Sequence, residues 1–289
     1  MKVLVTGADG QLGRALAMTA PLDWAITASG RQHLDITDEN AVRISINTLR
    51  PDVVINAAAY TAVDRAEQEN DLVCRINADA VEHLAKASRE AGSRLVHTST
   101  DFVFDGTSCR PYCPEDKPAP LNAYGRSKLA GEHIALRQPG NLIVRTAWLY
   151  SIHGSNFVKT MLRLMAEKDE VRVVADQIGT PTHARALAET IWELVQAGAE
   201  GIFHVTDAGV ASWYDFAVAI QEEALDAGLL QRAIPITPIT TADYPTPARR
   251  PHYGVLDKTK TWALLGRPAS HWRGELRMMM SELKDPQIV

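Results

Sequence analysis

Tyr124 and Lys128 are the residues of this chain whose types and spacing most directly suggest chemistry. They lie in the segment NAYGRSKLAGE, which is predicted to be helical, so a spacing of four puts both side chains on one helical face. An ammonium group that close favours the phenolate and lowers the tyrosine pKa towards the range of a proton donor and acceptor. Asn122 and Ser127 are polar neighbours of the kind found at the rim of an active site. The segment therefore predicts acid–base chemistry.

Hydroxyl groups follow a predicted strand upstream of this pair. The segment HTSTDFVFDG ends that strand and places Ser99 and Thr100 at the mouth of the sheet. A hydroxyl there can hydrogen-bond a substrate carbonyl as negative charge develops on it. Capping of the strand end is the structural alternative for both residues, and the Tyr–Lys pair favours the catalytic role.

A glycine motif at the start of the chain predicts a nucleotide site. Residues 2–13 read KVLVTGADGQLG, which is a short apolar strand, a turn and the start of a helix. Gly7 and Gly10 permit a sharp turn and a close approach to a pyrophosphate, and Gly13 lets the helix pack against the strand. The free N–H groups at the helix start point at the anion. An ordinary glycine-rich turn is the alternative, and the position directly after a strand favours dinucleotide binding.

Composition indicates a soluble enzyme. The chain has 289 residues, of which 46% are hydrophobic and 22% charged. Its net charge of -5 gives no electrostatic argument for nucleic acid or an anionic membrane. The first residues already form a strand, which leaves no room for a signal peptide, and no apolar run approaches membrane-spanning length. Three cysteines, without a second Cys or His pair for zinc, suit a reducing cytosol, so we expect a cytoplasmic protein.

Alternation of strands and helices predicts an α/β fold with a doubly wound parallel sheet of the Rossmann type. The predicted strands span 2–6, 24–28, 53–57, 94–98 and 141–146. The predicted helices span 11–19, 38–49, 70–91 and 123–137. Thr37 or Asp38 can cap the second helix, and Gly92 can end the third.

The second half of the chain is predicted to form a smaller substrate-binding lobe. We expect residues 1–146 to form the dinucleotide-binding core with the catalytic Tyr and Lys, and residues 147–289 to form mainly this lobe, interleaved with the core. Loops rich in Pro and Thr at 180–182 and 235–251 are interpreted as walls of a substrate cleft over the carboxyl ends of the strands.

The sequence resembles the extended short-chain dehydrogenase/reductases. The matching segments, in that family's order and spacing, are GADGQLG (7–13), INAAAYT (55–61), STDFVFDG (99–106) and YGRSK (124–128). Within this group it is similar to the dTDP-4-dehydrorhamnose reductase family, through segments that cover nearly the full chain. These are TAVDRAE (61–67), PLNAYGRSKLAGE (120–132), RTAWLY (145–150), NFVKTMLRL (156–164), DQIGTPT (176–182) and YPTPARRP (244–251).

The resemblance implies an NAD(P)H-dependent oxidoreductase that reduces the C4 keto group of dTDP-4-dehydro-L-rhamnose to dTDP-L-rhamnose. It implies that Tyr124 donates the proton to the C4 oxygen and that Lys128 lowers the tyrosine pKa and holds the nicotinamide ribose. It also implies that Thr100 orients the carbonyl. The hydride would come from the nicotinamide, and the protein would supply position and electrostatics.

The cofactor residues implied by the resemblance fall into three groups. Gly10, Gln11 and Leu12, with Gly7 and Gly13 in the same turn, would serve the pyrophosphate. Asp35 and Ile36 would lie beside the adenine, and Ala59, Tyr60 and Thr61 beside the ribose and diphosphate.

The choice of cofactor follows from charge. The second predicted strand ends without an acidic residue, and Arg31 or Ser29 can bond a 2′-phosphate, which favours NADPH with NADH as an alternative. The alternative is that Arg31 is a surface-loop residue without a role in cofactor binding.

The substrate residues implied by the resemblance are Thr100, Asp101, Trp148, Asn156, Arg249 and Arg250. Trp148 would contact the sugar, and Arg249 or Arg250 would pair with the diphosphate because a guanidinium fork fits phosphate oxygens. A solvated loop charge is the alternative for each arginine.

The chain departs from the family pattern at two places. Phe102 stands where many relatives have a tyrosine, so a hydroxyl contact to the sugar is lost. Some relatives dimerise through magnesium held by glutamates, and the positions where we look for these carry Ala15, Arg185 and Glu282. We therefore expect no metal, and either a monomer or a metal-independent dimer. Leu276, Met278, Met279 and Met280 suit either a core or an interface.

Two other functions remain open from sequence. One is a reductase or epimerase acting on another nucleotide-linked 4-keto sugar. The other is a non-catalytic regulatory subunit on the same scaffold, and the intact set of Thr100, Tyr124 and Lys128 weighs against it.

Overall fold

A six-stranded parallel sheet forms the centre of the fold in the computed structural model, which describes residues 1–284. The strands are β1 (Lys2–Thr6), β2 (Ala25–Ser29), β3 (Val53–Asn56), β4 (Arg94–Thr100), β5 (Leu142–Thr146), β6 (Leu149–Tyr150), β7 (Val171–Val174), β8 (Ile178–Gly179), β9 (Thr182–His183), β10 (Gly201–His204), β11 (Ala211–Ser212) and β12 (Ile236–Ile239). The central sheet has the order β2-β1-β3-β4-β5-β10, and β6–β9, β7–β12 and β8–β11 form small separate pairs. Because β2 and β3 flank β1 on opposite sides, the switch point for ligand binding lies at the carboxyl end of β1.

Helices cover both faces of this sheet. They are α1 (Gln11–Met18), α2 (Glu39–Leu49), α3 (Val63–Ala66), α4 (Asn70–Cys74), α5 (Ala80–Ala91), α6 (Ala123–Ala135), α7 (Phe157–Glu167), α8 (Ala184–Gln196), α9 (Trp213–Asp226), α10 (Thr259–Leu265) and α11 (Trp272–Lys284). Side chains alternate along β1, so Val3 and Val5 pack with α1 and α8 while Leu4 packs with α2 and α5. Burial on both faces explains the continuous apolar strands and confirms the doubly wound α/β prediction.

A second apolar core lies among α7, α9 and α11, together with β7. Leu276, Met279 and Met280 are buried in it, whereas Met278 is 43% exposed. Three of the four apolar residues that the sequence left open therefore belong to the core. Residues 285–289 of the predicted second lobe lie outside the described residues.

The first half of the chain forms its elements close to the predicted positions. The strand predicted at 94–98 continues to Thr100, and the helix predicted at 123–137 ends at Ala135. Asp38 caps α2, accepting a hydrogen bond from the backbone N–H of Ala41, and Gly92 ends α5 with a φ of 74°. The helix predicted at 70–91 contains a π-helical segment at Arg75–Asp79.

The second half of the chain holds more regular structure than the sequence predicted. β10 completes the central sheet beside β5, and α8 packs against the sheet next to α1. The loop predicted at 235–251 contains β12, which pairs with β7. Short strands with little alternation carry a weak sequence signal, which is why these pairings were missed. The division of the chain at residue 146 remains a prediction.

Membrane crossing finds no support in the fold, since no helix within residues 1–284 has both the length and the apolar character to span a bilayer. The cysteines are Cys74, Cys109 and Cys113, and all three are free.

A buried ion pair ties α6 to β5. Arg145 and Glu132 are 2% and 1% exposed, and they form two hydrogen bonds of 2.9 and 2.7 Å. The guanidinium also donates to the carbonyl oxygen of Pro114 at 3.2 Å and lies over the ring of Phe104. Because both charges are fully desolvated, removing one partner leaves the other uncompensated.

Glu132→Gln should therefore lower the free energy of unfolding by about 3–5 kcal/mol, because it leaves a buried guanidinium without a counter-charge. Chemical denaturation of the purified protein measures this change. The control is Glu167→Gln at the exposed Arg163–Glu167 pair, where we expect a change below about 0.5 kcal/mol. Equal decreases in the free energy of unfolding of the two variants would show that burial does not make the Arg145–Glu132 pair more important for stability than an exposed pair.

Candidate active site

The glycine-rich turn after β1 is as tight as its sequence predicts. Gly7 has a φ of 71°, a conformation that side-chain-bearing residues rarely adopt. A Cβ on Gly13 would lie 2.1 Å from the carbonyl oxygen of Gly7, so α1 can pack this closely only with glycine there. A Cβ on Gly10 would meet only that same oxygen, at 3.3 Å. Gly10 thus leaves its other side open for a ligand at the start of α1.

A cavity of about 250 Å³ lies beside this turn. The predicted cofactor residues that line it are Gly7, Gly10, Arg31, Asp35, Ile36 and Ala59. Asp9, Leu34, Thr37 and Ile76 also line it and were not predicted. The first turn of α1 carries no acidic side chain, so its free N–H groups face no competing carboxylate within that turn. In donor chemistry these backbone N–H groups and Arg31 fit the phosphate groups of a dinucleotide.

Arg31 and Asp35 form an ion pair at 3.5 Å, with side chains 74% and 39% exposed. The Asp35 carboxylate accepts hydrogen bonds from the backbone and hydroxyl groups of Thr37, which lower its pKa and keep it ionised. An exposed pair of this kind is weak, so the guanidinium can exchange Asp35 for a phosphate.

The other predicted cofactor residues do not line this cavity. Leu12 is buried in the core beneath the sheet. Gln11 accepts hydrogen bonds from Ser151 and Asn156, and so points to the second half of the chain. Tyr60 donates its hydroxyl to Glu69 at 2.5 Å, and its neighbour Thr61 is exposed. Their roles towards a cofactor remain predictions.

Helix α6 carries Tyr124 and Lys128 and begins under a side-chain cap. The Asn122 side chain accepts from the backbone N–H of Gly125 at 2.8 Å. A Cβ on Gly125 would lie 2.2 Å from the carbonyl oxygen of Phe102, so α6 approaches the end of β4 as closely as backbone atoms allow. The Phe102 ring meets the Tyr124 ring edge-on, with centroids 5.7 Å apart. This packing brings Tyr124 to Thr100.

The electrostatics of Tyr124 differ from the sequence-based expectation. Burial raises the pKa of its hydroxyl to about 12, the Thr100 hydroxyl opposes this rise, and the Asp101 charge adds to it. The expected lowering of this pKa by Lys128 is therefore wrong for this structure. Tyr124 keeps its proton throughout the neutral range, as a proton donor requires.

Lys128 explains the difference, because its amino group is engaged elsewhere. Its Nζ donates to the carbonyl oxygen of Thr98 at 2.6 Å and lies 3.4 Å from Nε2 of His97. Burial lowers the pKa of Lys128 to about 8, and the Glu132 charge opposes that shift. A smaller share of ammonium and a competing carbonyl both weaken its effect on Tyr124.

The end of β4 supplies three buried polar side chains. The Thr100 hydroxyl donates to Oδ1 of Asp101 at 3.0 Å and accepts from the backbone N–H of Phe102 at 3.2 Å. Burial raises the pKa of Asp101 to about 7. The Ser99 hydroxyl is buried without a hydrogen-bond partner among the described residues. The capping alternative thus applies to Thr100, and the same geometry keeps it beside Tyr124.

A buried polar chain that sequence analysis missed runs from β1 to Lys128. Thr6 donates to Oδ1 of Asn56 at 2.8 Å, and Nδ2 of Asn56 bonds Nδ1 of His97 at 3.1 Å. Asn56 is the polar last residue of the apolar strand β3, and His97 follows two apolar residues in the middle of β4; these polar positions were the available signal.

Asn77 was also missed by sequence analysis, and it links the segment after β3, at Tyr60, to α6, at Ser127. Its amide donates to the carbonyl of Tyr60 and to the hydroxyl of Ser127 at 3.0 Å, and it accepts from the backbone N–H of Tyr60. The π-helical segment turns this side chain inwards, and a sequence pattern does not show such a bulge.

The second half of the chain contributes a larger cavity of about 550 Å³. Its walls include Phe157, Met161, Val173, Trp213, Tyr244 and Arg250. Trp148 stacks on Trp213 at 3.5 Å with a φ of 46°, a rare conformation for a residue other than glycine. Trp148 therefore contacts the wall of this cavity through Trp213, and its contact with the sugar remains a prediction.

The two predicted arginines differ in their surroundings. Arg250 forms a bidentate pair with Asp64, at 3.0 and 2.7 Å, and lines the larger cavity. Arg249 is exposed, and its backbone carbonyl accepts from Asn122. Asn156 caps α7, and its amide hydrogens bond Gln11 and the carbonyl of Ser151, so the structure does not turn it towards either cavity. Its contact with substrate remains a prediction.

Together these features suit hydride transfer to a carbonyl group. The glycine turn, β4 and the start of α6 all lie at the carboxyl edge of the parallel sheet, where open α/β sheets bind ligands. They place the cavity beside the glycine turn, a protonated tyrosine and a supporting hydroxyl at one edge.

Comparison with known proteins identifies the family of this chain. The family model described as the RmlD substrate binding domain matches residues 1–285. A dTDP-4-dehydrorhamnose reductase from Aggregatibacter actinomycetemcomitans is 41% identical over 285 residues, covering 96% of this chain and 97% of that protein. One from Escherichia coli K12 is 39% identical, covering 98% of each chain.

A solved structure gives the same result in three dimensions. The crystal structure of a dTDP-4-dehydrorhamnose reductase from Bacillus anthracis in complex with NADP superposes with a TM-score of 0.92. It is 38% identical and covers 97% of this chain and 99% of that one. The resemblance read from the motifs is confirmed, and the chain belongs to the RmlD substrate binding domain family.

Proposed function

We propose that this chain reduces the C4 keto group of dTDP-4-dehydro-L-rhamnose to dTDP-L-rhamnose, with NADPH as the preferred reductant and NADH as an alternative. The observation that carries the proposal is the meeting of Thr100 and Tyr124 at the end of β4, on the same carboxyl edge of the sheet as the glycine turn. Full-length relatives at about 40% identity share the named activity, and the related Bacillus anthracis enzyme was crystallised with NADP. We also propose that the enzyme works in the cytoplasm, which its three free cysteines suit.

Tyr124 donates the proton in this proposal, since its raised pKa keeps the hydroxyl protonated at neutral pH. The bound nicotinamide supplies the hydride. Thr100 donates a hydrogen bond to the substrate oxygen as it becomes an alkoxide. Lys128 holds a ribose hydroxyl and supplies positive charge near the phenolate that remains after the proton has left.

The larger cavity is suited to the nucleotide end of the substrate. Its volume of about 550 Å³ lies within the range of small-ligand sites, and its aromatic and aliphatic walls suit a base and a sugar ring. Arg250 on its wall supplies a guanidinium for the diphosphate, held in place by Asp64. The exposed Arg249 is available for the same role.

The substrate itself gives the direct test. We expect incubation with dTDP-4-dehydro-L-rhamnose and NADPH to consume the nicotinamide absorbance and to yield dTDP-L-rhamnose. An epimerase that recycles a tightly bound cofactor would leave added NADPH unchanged, and a regulatory subunit would turn over neither compound. Either of these results would overturn the proposed function.

Tyr124→Phe should lower turnover by about 10²–10⁴-fold while leaving cofactor affinity nearly unchanged, because only the transferred proton is removed. Steady-state kinetics and a cofactor-binding titration measure the two effects. Tyr112→Phe is the matched control, since its hydroxyl bonds Asp105 instead. A Tyr124→Phe enzyme within about threefold of the wild type would refute the assignment of this residue as the acid.

Arg31→Ala should reduce kcat/KM for NADPH by about tenfold or more and leave that for NADH little changed, since a hydrogen bond between charged groups contributes about 1.5–3 kcal/mol. The wild type should accordingly prefer NADPH. Arg43→Ala, on the outer surface of α2, controls for general loss of positive charge. Equal specificity constants for the two cofactors in the wild type would show that Arg31 does not read the phosphate.

Magnesium should be unnecessary for activity and for any self-association. Ala15, Arg185 and Glu282 line one cavity of about 120 Å³, and Arg185 pairs with Glu282 at 3.3 Å. A hard cation needs several carboxylate oxygens, whereas this position offers one carboxylate already paired with a guanidinium.

Light scattering and activity, each with magnesium and then with EDTA, test this expectation. The double variant Ala15→Glu with Arg185→Glu supplies the missing carboxylates and is the matched comparison, in which metal-dependent association should appear. A wild-type dimer that dissociates on chelation and loses activity would contradict the prediction.

A further inference from the structure

Asp101 is a buried acid that the proposed mechanism leaves without a role. It is 2% exposed, lies at the start of the 3₁₀ turn Asp101–Val103, and bonds Thr100 rather than a cation. Gly254 lies against the other carboxyl oxygen, and its lack of a side chain makes room for Asp101, since a Cβ on Gly254 would lie 2.6 Å from Oδ2. Because this carboxyl group hydrogen-bonds the Thr100 hydroxyl, its protonation state decides whether that hydroxyl can donate its hydrogen to another group.

The Thr100 hydroxyl has one hydrogen to donate and two lone pairs. One lone pair accepts the backbone N–H of Phe102 at 3.2 Å. The contact with Oδ1 of Asp101 at 3.0 Å uses either the hydrogen or the second lone pair, depending on whether the carboxyl group is ionised.

Ionised Asp101 accepts only, so it takes the Thr100 hydrogen. The remaining lone pair of Thr100 then faces Tyr124, where it can accept the tyrosine proton and cannot donate to a substrate carbonyl. Neutral Asp101 donates its own proton to Thr100, which leaves the Thr100 hydrogen for the substrate oxygen. Only the second arrangement stabilises a developing alkoxide.

We propose that Asp101 is a positioning residue that, in its carboxylic acid form, orients the Thr100 hydroxyl towards the substrate oxygen. The proposal rests on the proposed reductase function and adds a control of that reaction by one proton. The resemblance implies a substrate contact for Asp101, and the positioning role is exerted through the Thr100 hydroxyl, which Asp101 bonds at 3.0 Å.

The surroundings of Asp101 favour the acid form near neutrality. Burial raises its pKa from 3.8 to about 7, against the opposing hydrogen bonds of Thr100 and of the backbone N–H groups of Asp101 and Phe102. From α6 the titratable group facing it is Tyr124, which stays neutral below a pKa of about 12. Gly254, which has no side chain, lies against Oδ2, and among residues 1–284 no Lys, Arg or His is bonded to this carboxyl group.

The sign of the pH dependence follows from this raised pKa. Asp101 is neutral below about pH 7 and ionises as the pH rises through that value, so kcat should fall on the alkaline side. Asp101→Asn offers a neutral amide donor at every pH and should remove the part of this decline centred near pH 7, leaving the part due to Lys128, whose pKa is about 8. At pH 8 its kcat should exceed that of the wild type by about tenfold, because a group with a pKa of about 7 is about nine-tenths ionised there.

The experiment compares kcat–pH profiles of four proteins: the wild type, Asp101→Asn, Thr100→Val, and the double variant. Removing Thr100 should make the Asp101→Asn substitution silent, since Asp101 acts through that hydroxyl. Asp105→Asn, on the same loop, should keep the wild-type decline. Infrared difference spectra should show a carboxylic acid band that titrates near neutrality in the wild type and is absent from Asp101→Asn.

Three results would overturn the inference. One is an alkaline decline of kcat in Asp101→Asn that is the same as in the wild type. Another is an alkaline decline centred near pH 7 that persists in Thr100→Val and disappears in the double variant, because Asp101 would then act without the Thr100 hydroxyl. The third is the absence of a titrating acid band. If the wild type fails to reduce the sugar but shows the band, the proposed reductase function is at fault rather than the neutral state of Asp101.

Discussion

The close approach of α6 to the carboxyl end of β4 is the constraint on which the site depends. Gly125 allows it, because any Cβ there would meet the carbonyl oxygen of Phe102 at 2.2 Å. The Asn122 cap fixes where the helix begins, so Tyr124 arrives beside Thr100 in a defined orientation. A side chain at Gly125 would displace the helix and separate the two hydroxyl groups, although neither would itself change.

Burial of this contact decides the charges of the site. In water Tyr124, Lys128 and Asp101 would be neutral, cationic and anionic, respectively. In the fold the pKa values of Tyr124, Lys128 and Asp101 become about 12, 8 and 7, respectively. Burial raises the pKa of the two acids and lowers that of the lysine, because it disfavours the charged form of each group. At pH 7 Tyr124 is protonated and Lys128 is still mostly cationic, which suits a reaction in which an alkoxide develops, because fixed charges and dipoles act strongly where water is excluded.

Three bridges between distant parts of the chain hold the cavities in place relative to α6. Asn156 donates to Gln11 at 2.9 Å, Arg250 pairs with Asp64 at 2.7 Å, and Asn122 donates to the carbonyl of Arg249 at 2.8 Å. All three involve residues that the sequence suggested for substrate binding, namely Asn156, Arg250 and Arg249, and the third also uses the helix cap next to Tyr124. The substrate side of the site is thus positioned by polar contacts from the cofactor side, in addition to the apolar core around α7, α9 and α11.

The sequence by itself determined the local features, because they depend on neighbours along the chain. The glycine turn, the buried strands of the first half, the caps at Asp38 and Gly92, and the spacing of Tyr124 and Lys128 all follow from short patterns. Tertiary structure alone decided the features that depend on contacts between distant segments. It placed β10 in the sheet, drew Asn77 inwards at a π-helical segment, and engaged Lys128 with Thr98. It also reversed the expected pKa shift of Tyr124, since desolvation depends on what packs over a side chain and not on the residue four positions away.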